Sequence, residues 1–310
     1  MSKLLSVIIC THNPRKDYLE RALESLRNQS FPSKGWEFLL IDNCSSQPLE
    51  AELNLEWHAS GKIVREENLG LTQARLRGIC ESSGSLLVFV DDDNCLREDY
   101  LATAWQLAKD WPQLGAWSGR VVPEYEVAPA AELLPYIWML CIRPVEKPSW
   151  GNTFQMETTP WGAGMCVRRN VADFYARAIE QNPRRASLDR RGPGLGSTGD
   201  MDLALTSLDL GMGTGVFPEL ELRHLIPERR VQESYLLKLV EDGAAGDVIF
   251  QASRGILGRN SESRVDKLVR SYKMLRASRI QKAFGVAFER GRKQGLAIMQ
   301  SFSKPRALEK

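Results

Sequence analysis

The feature that most constrains this chain is the alternation that opens it. Apolar, β-branched runs lie at Leu4–Cys10, Glu37–Ile41, Lys62–Arg65 and Ser85–Val90. Between and after them come segments of helical periodicity at Asp17–Asn28, Leu71–Glu81 and Glu98–Asp110. In the first of these, Leu19, Leu23 and Leu26 recur at three- to four-residue spacing, which lines them along one helix face. Strand–helix–strand alternation with short connections predicts an α/β fold: a mixed, mainly parallel sheet sandwiched by helices. Ligands of such sheets bind at the carboxyl ends of the strands. The residues that follow each apolar run are therefore the ones to read for chemistry.

Those residues are Thr11-His12-Asn13, Asp42-Asn43, Glu66–Asn68 and Asp91-Asp92-Asp93. Four polar strand ends in succession would form one polar rim. The triplet is the strongest signal, because Leu86–Val90 leads straight into it and three adjacent carboxylates repel one another. They are hard oxygen donors suited to Mg²⁺ or Mn²⁺, which would cancel the repulsion and bridge a diphosphate. The bland alternative is a solvated acidic turn before the helix near Glu98. Burying the carboxylates carries a desolvation cost, and that favours a site.

Three further motifs are weaker alone. Gly199-Asp200-Met201-Asp202-Leu203 places Asp200 at a helix start, as a cap or as a general base toward an acceptor hydroxyl. His224, one of three histidines, is a metal ligand or a plain core histidine. Arg229 and Arg230 beyond it are suited to a phosphate. Asn68-Leu69-Gly70-Leu71-Thr72-Gln73-Ala74-Arg75 combines a loop glycine with a helix start that carries Arg75.

Taken in order, these pieces resemble the family 2 (GT-A fold) nucleotide-sugar glycosyltransferases, bacterial type. The matching segments are Ser6–Asn13, Leu40–Ser45, Asn68-Leu69-Gly70 with Ala74-Arg75, Val88–Asp93, Gly162-Ala163-Gly164, Gly199–Leu203, and His224–Pro227 with Arg230. They cover residues 4–230. The resemblance implies a GT-A, Rossmann-like fold and a set of roles. Thr11, Asn13, Asp42 and Arg75 would hold the nucleotide. Asp92, and in part Asp91, would serve the donor, and Asp93, Asp91 and His224 the Mn²⁺ or Mg²⁺. Asp200 would be the base of an inverting, single-displacement transfer. Trp161, Gly164, Asp202 and Arg230 are left as candidates for acceptor or phosphate contact. One departure stands out: the family often has Glu-Asp where this chain has Gly199-Asp200, so an acidic neighbour of the base is lost.

The donor implied is a nucleotide-sugar, with UDP expected from the family, and the acceptor a saccharide or lipid-linked saccharide of cell-surface polysaccharide or glycolipid synthesis. A sugar-1-phosphate nucleotidyltransferase is the alternative. It would want a glycine-rich phosphate loop, which Cys10–Arg15 lacks. A non-catalytic nucleotide-sugar-binding protein of the same fold is a second, against which an intact Asp200 argues.

Domain organisation follows from charge. Net charge is +2 overall, yet residues 256–310 carry fourteen Lys/Arg against four acids, a tail of +10. A catalytic domain is expected over 1–230, with its nucleotide part at about 1–120 and its acceptor part at about 121–230, followed by a basic helical extension over 231–310. Around one helical face of the extension stand Val265, Leu268, Val269, Tyr272 and Leu275, flanked by Arg264, Lys267, Arg270 and Lys273. Docking on an anionic membrane surface through 256–310 is one expectation, and packing on the catalytic domain with a solvated basic face is the other. No nucleic-acid partner is expected, because the tail lacks an aromatic stacking array. Six scattered cysteines without a C-x-x-C pair read as free thiols of a reducing compartment. The expected location is cytoplasmic, with a peripheral position on the inner face of the cell membrane as the tail's contribution. Tyr125–Pro160, dense in proline and aromatics, reads as an irregular insertion over the sheet whose tryptophans need burial or a ligand.

Overall fold

The computed structural model describes residues 3–182, 185–186, 188–189, 194–256 and 276–303. The apolar tail positions from Val265 to Leu275 lie outside them. The chain forms β1 (Leu5–Thr11), α1 (Lys16–Arg27), β2 (Trp36–Asn43), β3 (Gly61–Glu66), α2 (Leu71–Glu81), β4 (Leu86–Val90), β5 (Asn94–Leu96) and α3 (Tyr100–Asp110). It continues with β6 (Leu114–Tyr125), a 3₁₀ helix (Ala131–Leu140), β7 (Ser149–Gly151), β8 (Met165–Arg168), α4 (Arg169–Gln181), α5 (Gly199–Asp209) and β9 (Gly213–Ile226). A 3₁₀ turn (Glu228–Val231), α6 (Glu233–Ser253) and α7 (Arg279–Ser303) close it.

The nine strands make one sheet in the order β3-β2-β1-β4-β8-β6-β9-β5, with β7 pairing β9 outside that path. The β3-β2-β1-β4 half is parallel throughout. Its strands read as near-continuous apolar runs because helices cover both faces. On one face Val7, Ile9, Phe38, Leu40 and Val88 pack against Leu19, Leu23 and Leu26 of α1 and Leu101 and Ala104 of α3. On the other, Ile8, Leu39, Ile41 and Leu87 pack with Ala74 of α2, Val171 and Tyr175 of α4 and Leu203 of α5. The alternation of side chains along each strand thus feeds two separate cores, and the expected α/β sandwich is the one formed.

The second half departs from the sequence reading. The four apolar runs that open the chain end at Val90, yet β9 runs from Gly213 to Ile226 and pairs in parallel along nearly all of β6. The ladder is irregular at Gly119/Arg120. The insertion holds the Ala131–Leu140 helix and β7, and Trp138 and Trp150 stand about half exposed, so burial is not what retains them. A third core joins Leu133, Leu140 and Ile226 to Leu236 and Leu239 of α6 and to Ile280, Phe284 and Ala287 of α7. The packing expectation for the tail is met over this helix. A Cβ at Gly291 would lie 2.0 Å from the Glu241 carbonyl oxygen, so α7 meets α6 backbone to backbone. Among the described residues no helix is long and apolar enough to cross a membrane.

Candidate active site

A cleft of about 530 Å³ opens at the carboxyl ends of β1, β2 and β4. It is lined by the end of β1 (Cys10–Asn13), Asn43, the start of α2, Asp91–Asp93, Gly162, Asp200, His224 and Arg230.

The wall formed by the ends of β1 and β2 is braced by side chains bonded to backbone. His12 Nδ1 donates to the Asn43 carbonyl at 2.7 Å, and Asn13, in the left-handed region at φ 49°, accepts from Ser46 N through its Oδ1 at 2.8 Å. Asn43 Oδ1 accepts from Gly70 N, while its Nδ2 donates to the Asn68 carbonyl, both at 2.8 Å. The β1, β2 and β3 loops are thereby locked to one another. Asp42 belongs to this bracing and not to the cleft. It is 1% exposed and accepts from Ser45 N, Leu49 N and Arg65 Nη1. Burial would raise its pKa, but these donors prevail and hold it below the ordinary value.

The acidic wall is made by strand pairing. β5 runs antiparallel to β9 with Asn94 opposite His224, and Leu225 N donates to the Asp93 carbonyl at 2.8 Å. This register brings His224 Nε2 to 3.3 Å from Asp93 Oδ2. Arg230 Nη1 reaches the same carboxylate at 2.8 Å and lies 3.2 Å from His224 Nε2. Nε2 thus faces a donor and an acceptor at once: in the tautomer that accepts from Arg230 its lone pair points at this cluster, and in the other Nε2–H donates to Asp93. His224 Nδ1 and Arg230 Nε are buried with no hydrogen-bond partner among the described residues. Asp92 accepts from the Thr11 hydroxyl. Its pKa is pushed up to about 7, first by burial, then by Asp93.

No group of three His, Cys, Asp or Glu able to hold a metal ion is present among the described residues. The donor chemistry nevertheless fits a hard divalent cation: the Asp93 carboxylate and the His224 imidazole nitrogen converge where Arg230 now places a positive charge. Further oxygens would have to come from a bound diphosphate.

The third wall is the first turn of α5. Asp200, 6% exposed, accepts from Gly162 N and Met201 N, each at 2.8 Å. Burial raises its pKa despite the opposing charge of Arg75 and these two amides. Arg75 is itself buried and pairs with Asp189 at 2.7 Å. Asp189 carries no sequence signal, being an isolated acid in an Arg/Gly/Pro-rich loop. Cys141, Leu195 and Tyr235 also line the cleft, and the sequence reading missed them. Three acceptor candidates do not reach it. Asp202 is fully buried in ion pairs with Arg185 and Arg254, both at 2.7 Å. Trp161 stacks under Arg143, and the Gly164 carbonyl accepts from the Tyr100 hydroxyl. Thr11, Asn13, Arg75, Asp91, Asp92, Asp93, Asp200, His224 and Arg230 all line the cleft.

Residues 6–170 match the profile of Glycosyl transferase family 2, more than half of the chain. The protein belongs to that family. Over 112 residues it is 30% identical to an uncharacterized glycosyltransferase of Haemophilus influenzae, covering 36% of each chain. Over 108 residues it is 29% identical to the putative glycosyltransferase EpsH of Bacillus subtilis, covering 34% of this chain and 30% of that one. The match therefore spans about a third of the length of these relatives. In fold it is similar to S. aureus TarS 1–349, solved in complex with UDP-GlcNAc, with a TM-score of 0.53 over 96% of this chain and 92% of that one. Identity there is 14%, so the likeness is one of fold.

Proposed function

We propose that this protein is an inverting glycosyltransferase that moves a sugar from a nucleotide-sugar, most simply a UDP-sugar, to an acceptor hydroxyl. The observation that carries this is the meeting, in one cleft, of a buried, amide-held Asp200 with the Asp93–His224–Arg230 cluster. The first supplies a base and the second a seat for a departing diphosphate. Asp200 takes the hydroxyl proton as the acceptor oxygen attacks the anomeric carbon. The bond from that carbon to the diphosphate oxygen breaks, its electron pair leaves with the nucleoside diphosphate, and the anomeric configuration inverts. A raised pKa on Asp200 suits it to this task near neutral pH.

Arg230 holds diphosphate oxygens, and Asp92 with Thr11 faces the donor. Asp93 and His224, with Asp91 beside them, would hold Mn²⁺ or Mg²⁺. That ion would neutralise charge building on the leaving diphosphate. A UDP donor is supported by the UDP-GlcNAc complex of TarS, and a saccharide or lipid-linked acceptor by the family. The basic outer face of α7, with Lys282, Arg292 and Lys293 exposed, supports a peripheral seat on an anionic membrane. Equal flotation on anionic vesicles with and without residues 256–310 would remove that part. The domain plan, with catalysis in 1–230 and the extension beyond it, is part of the same proposal.

The central test is a thermal-shift screen of UDP-, GDP- and dTDP-sugars with Mn²⁺ or Mg²⁺. A UDP-sugar raises Tm, and more so with the ion. No shift with any nucleotide-sugar overturns the reading. The anomeric configuration of the product, read by proton NMR, tests inversion.

A further inference from the structure

The loss of an acid at position 199 has a spatial counterpart. A Cβ added to Gly199 would fall 2.2 Å from Asp189 Oδ2 and 2.4 Å from its Cγ. The Asp189 carboxylate thus fills the space that a side chain at 199 would enter. It accepts from Gly199 N at 3.2 Å, from the Thr72 hydroxyl at 2.9 Å and from Arg75 Nη1 at 2.7 Å. The Arg75 and Asp189 side chains are 4% and 1% exposed, so this pair is shielded from water.

Arg75 also faces Asp200. A Cβ at Gly162 would lie 3.1 Å from Arg75 Nη2 and 3.2 Å from Asp200 Oδ2, so the two groups flank the same glycine. One cation is shared by two buried carboxylates, and its short hydrogen bond goes to Asp189. The other charged or titratable groups around Arg75 are Tyr175 of α4 and Asp91 at the end of β4. Cys10 of β1 lies in the same field.

We propose that Asp189 is a positioning residue for sugar transfer: carried on the preceding loop, it supplies the carboxylate missing at position 199 and holds Arg75 away from a full ion pair with Asp200. The inference rests on the base role proposed for Asp200. Without Asp189, the Arg75 charge would fall to Asp200 alone. A carboxylate paired closely with arginine is stabilised in its charged form and is a weaker base. Asp189 therefore keeps Asp200 basic while fixing the start of α5.

Two measurements test this in the full-length protein. The first is free of activity: carboxyl-carbon NMR of Asp200, assigned by its loss in Asp200→Asn. In Asp189→Asn the Asp200 midpoint falls by about one pH unit or more. The second is kcat against pH with the donor that the thermal-shift screen identifies. Asp189→Asn lowers kcat about a hundredfold and moves the acid limb to lower pH. Moving the carboxylate, by Asp189→Gly with Gly199→Asp, conserves volume and returns both the midpoint and the limb toward wild type. An unmoved NMR midpoint overturns the proposal. So does a fall in kcat with an unshifted acid limb, which marks a merely structural role. If wild type transfers no sugar while the midpoint still falls, the electrostatic device stands and the functional reading fails. Should Asp189→Asn not fold, the transposed variant alone decides, since under the proposal it folds with the wild-type midpoint.

Discussion

Asp202, fully buried behind the cleft, and Asp92, partly exposed on its wall, are compensated to very different degrees. Asp202, in the first turn of α5, is bonded to Arg185 on one oxygen and Arg254 on the other. At the end of β4, Asp92 has a threonine hydroxyl, two acidic neighbours and a share of one arginine. The first is a closed structural joint. The second carries charge that the fold does not neutralise, and such charge is most readily relieved by a ligand. The comparison separates acids that hold the protein together from acids that await something, although both kinds look alike in sequence.

The sharpest break between the two kinds would come at α5, where Asp200 and Asp202 stand two residues apart. Asp200→Asn should lower turnover by about 10²–10⁴-fold while donor-induced thermal shifts persist. Asp202→Ala should instead cost about 3–5 kcal/mol of stability, because the largely buried Arg185 loses its carboxylate partner and Arg254 is left with Asp209 alone. Urea melts would show this, with the specific activity of the folded fraction unchanged. Reversal of the two outcomes would dissolve the distinction.

Asp92 sharpens it through pH. Its folded-state pKa is raised from 3.8 to about 7. The penalty for ionising it is absent below the unfolded value, grows as pH rises, and is complete above the folded one. Asp92→Asn should therefore raise Tm more at pH 8 than at pH 5. An equal gain at both would show the cluster to be compensated after all. The smallest effect is expected on the braced wall. Asn43→Ala should cost about 1–3 kcal/mol by leaving Gly70 N and neighbouring carbonyls unpaired, and should weaken donor binding through the loosened loops more than it slows turnover.

The parallel half of the fold was legible because β1, β2 and β4 are buried on both faces and read as unbroken apolar runs. β6 and most of β9 were not. Their strand pattern is interrupted by Gly119, Pro123 and Pro218, and the ladder they form is irregular at Gly119/Arg120. In the site, residues on recognisable strand ends and at helix starts were found. The loop bonds of Asp42 were not legible, since nothing local distinguishes a carboxylate turned toward its own loop from one turned toward a ligand. Asp189 was invisible, because its partners Thr72 and Arg75 lie more than a hundred positions away.

The pairing of β5 with β9 joins Asp93 to His224 across 131 positions. Closing so long a loop must precede any reward from the contact, which makes it a slow event in folding. The parallel half can collapse on its near neighbours first, with the cleft still lacking one wall. Donor binding would then appear only at the end of refolding, so a fluorescent nucleotide added during a refolding experiment would time the arrival of β9 and not the formation of the sheet.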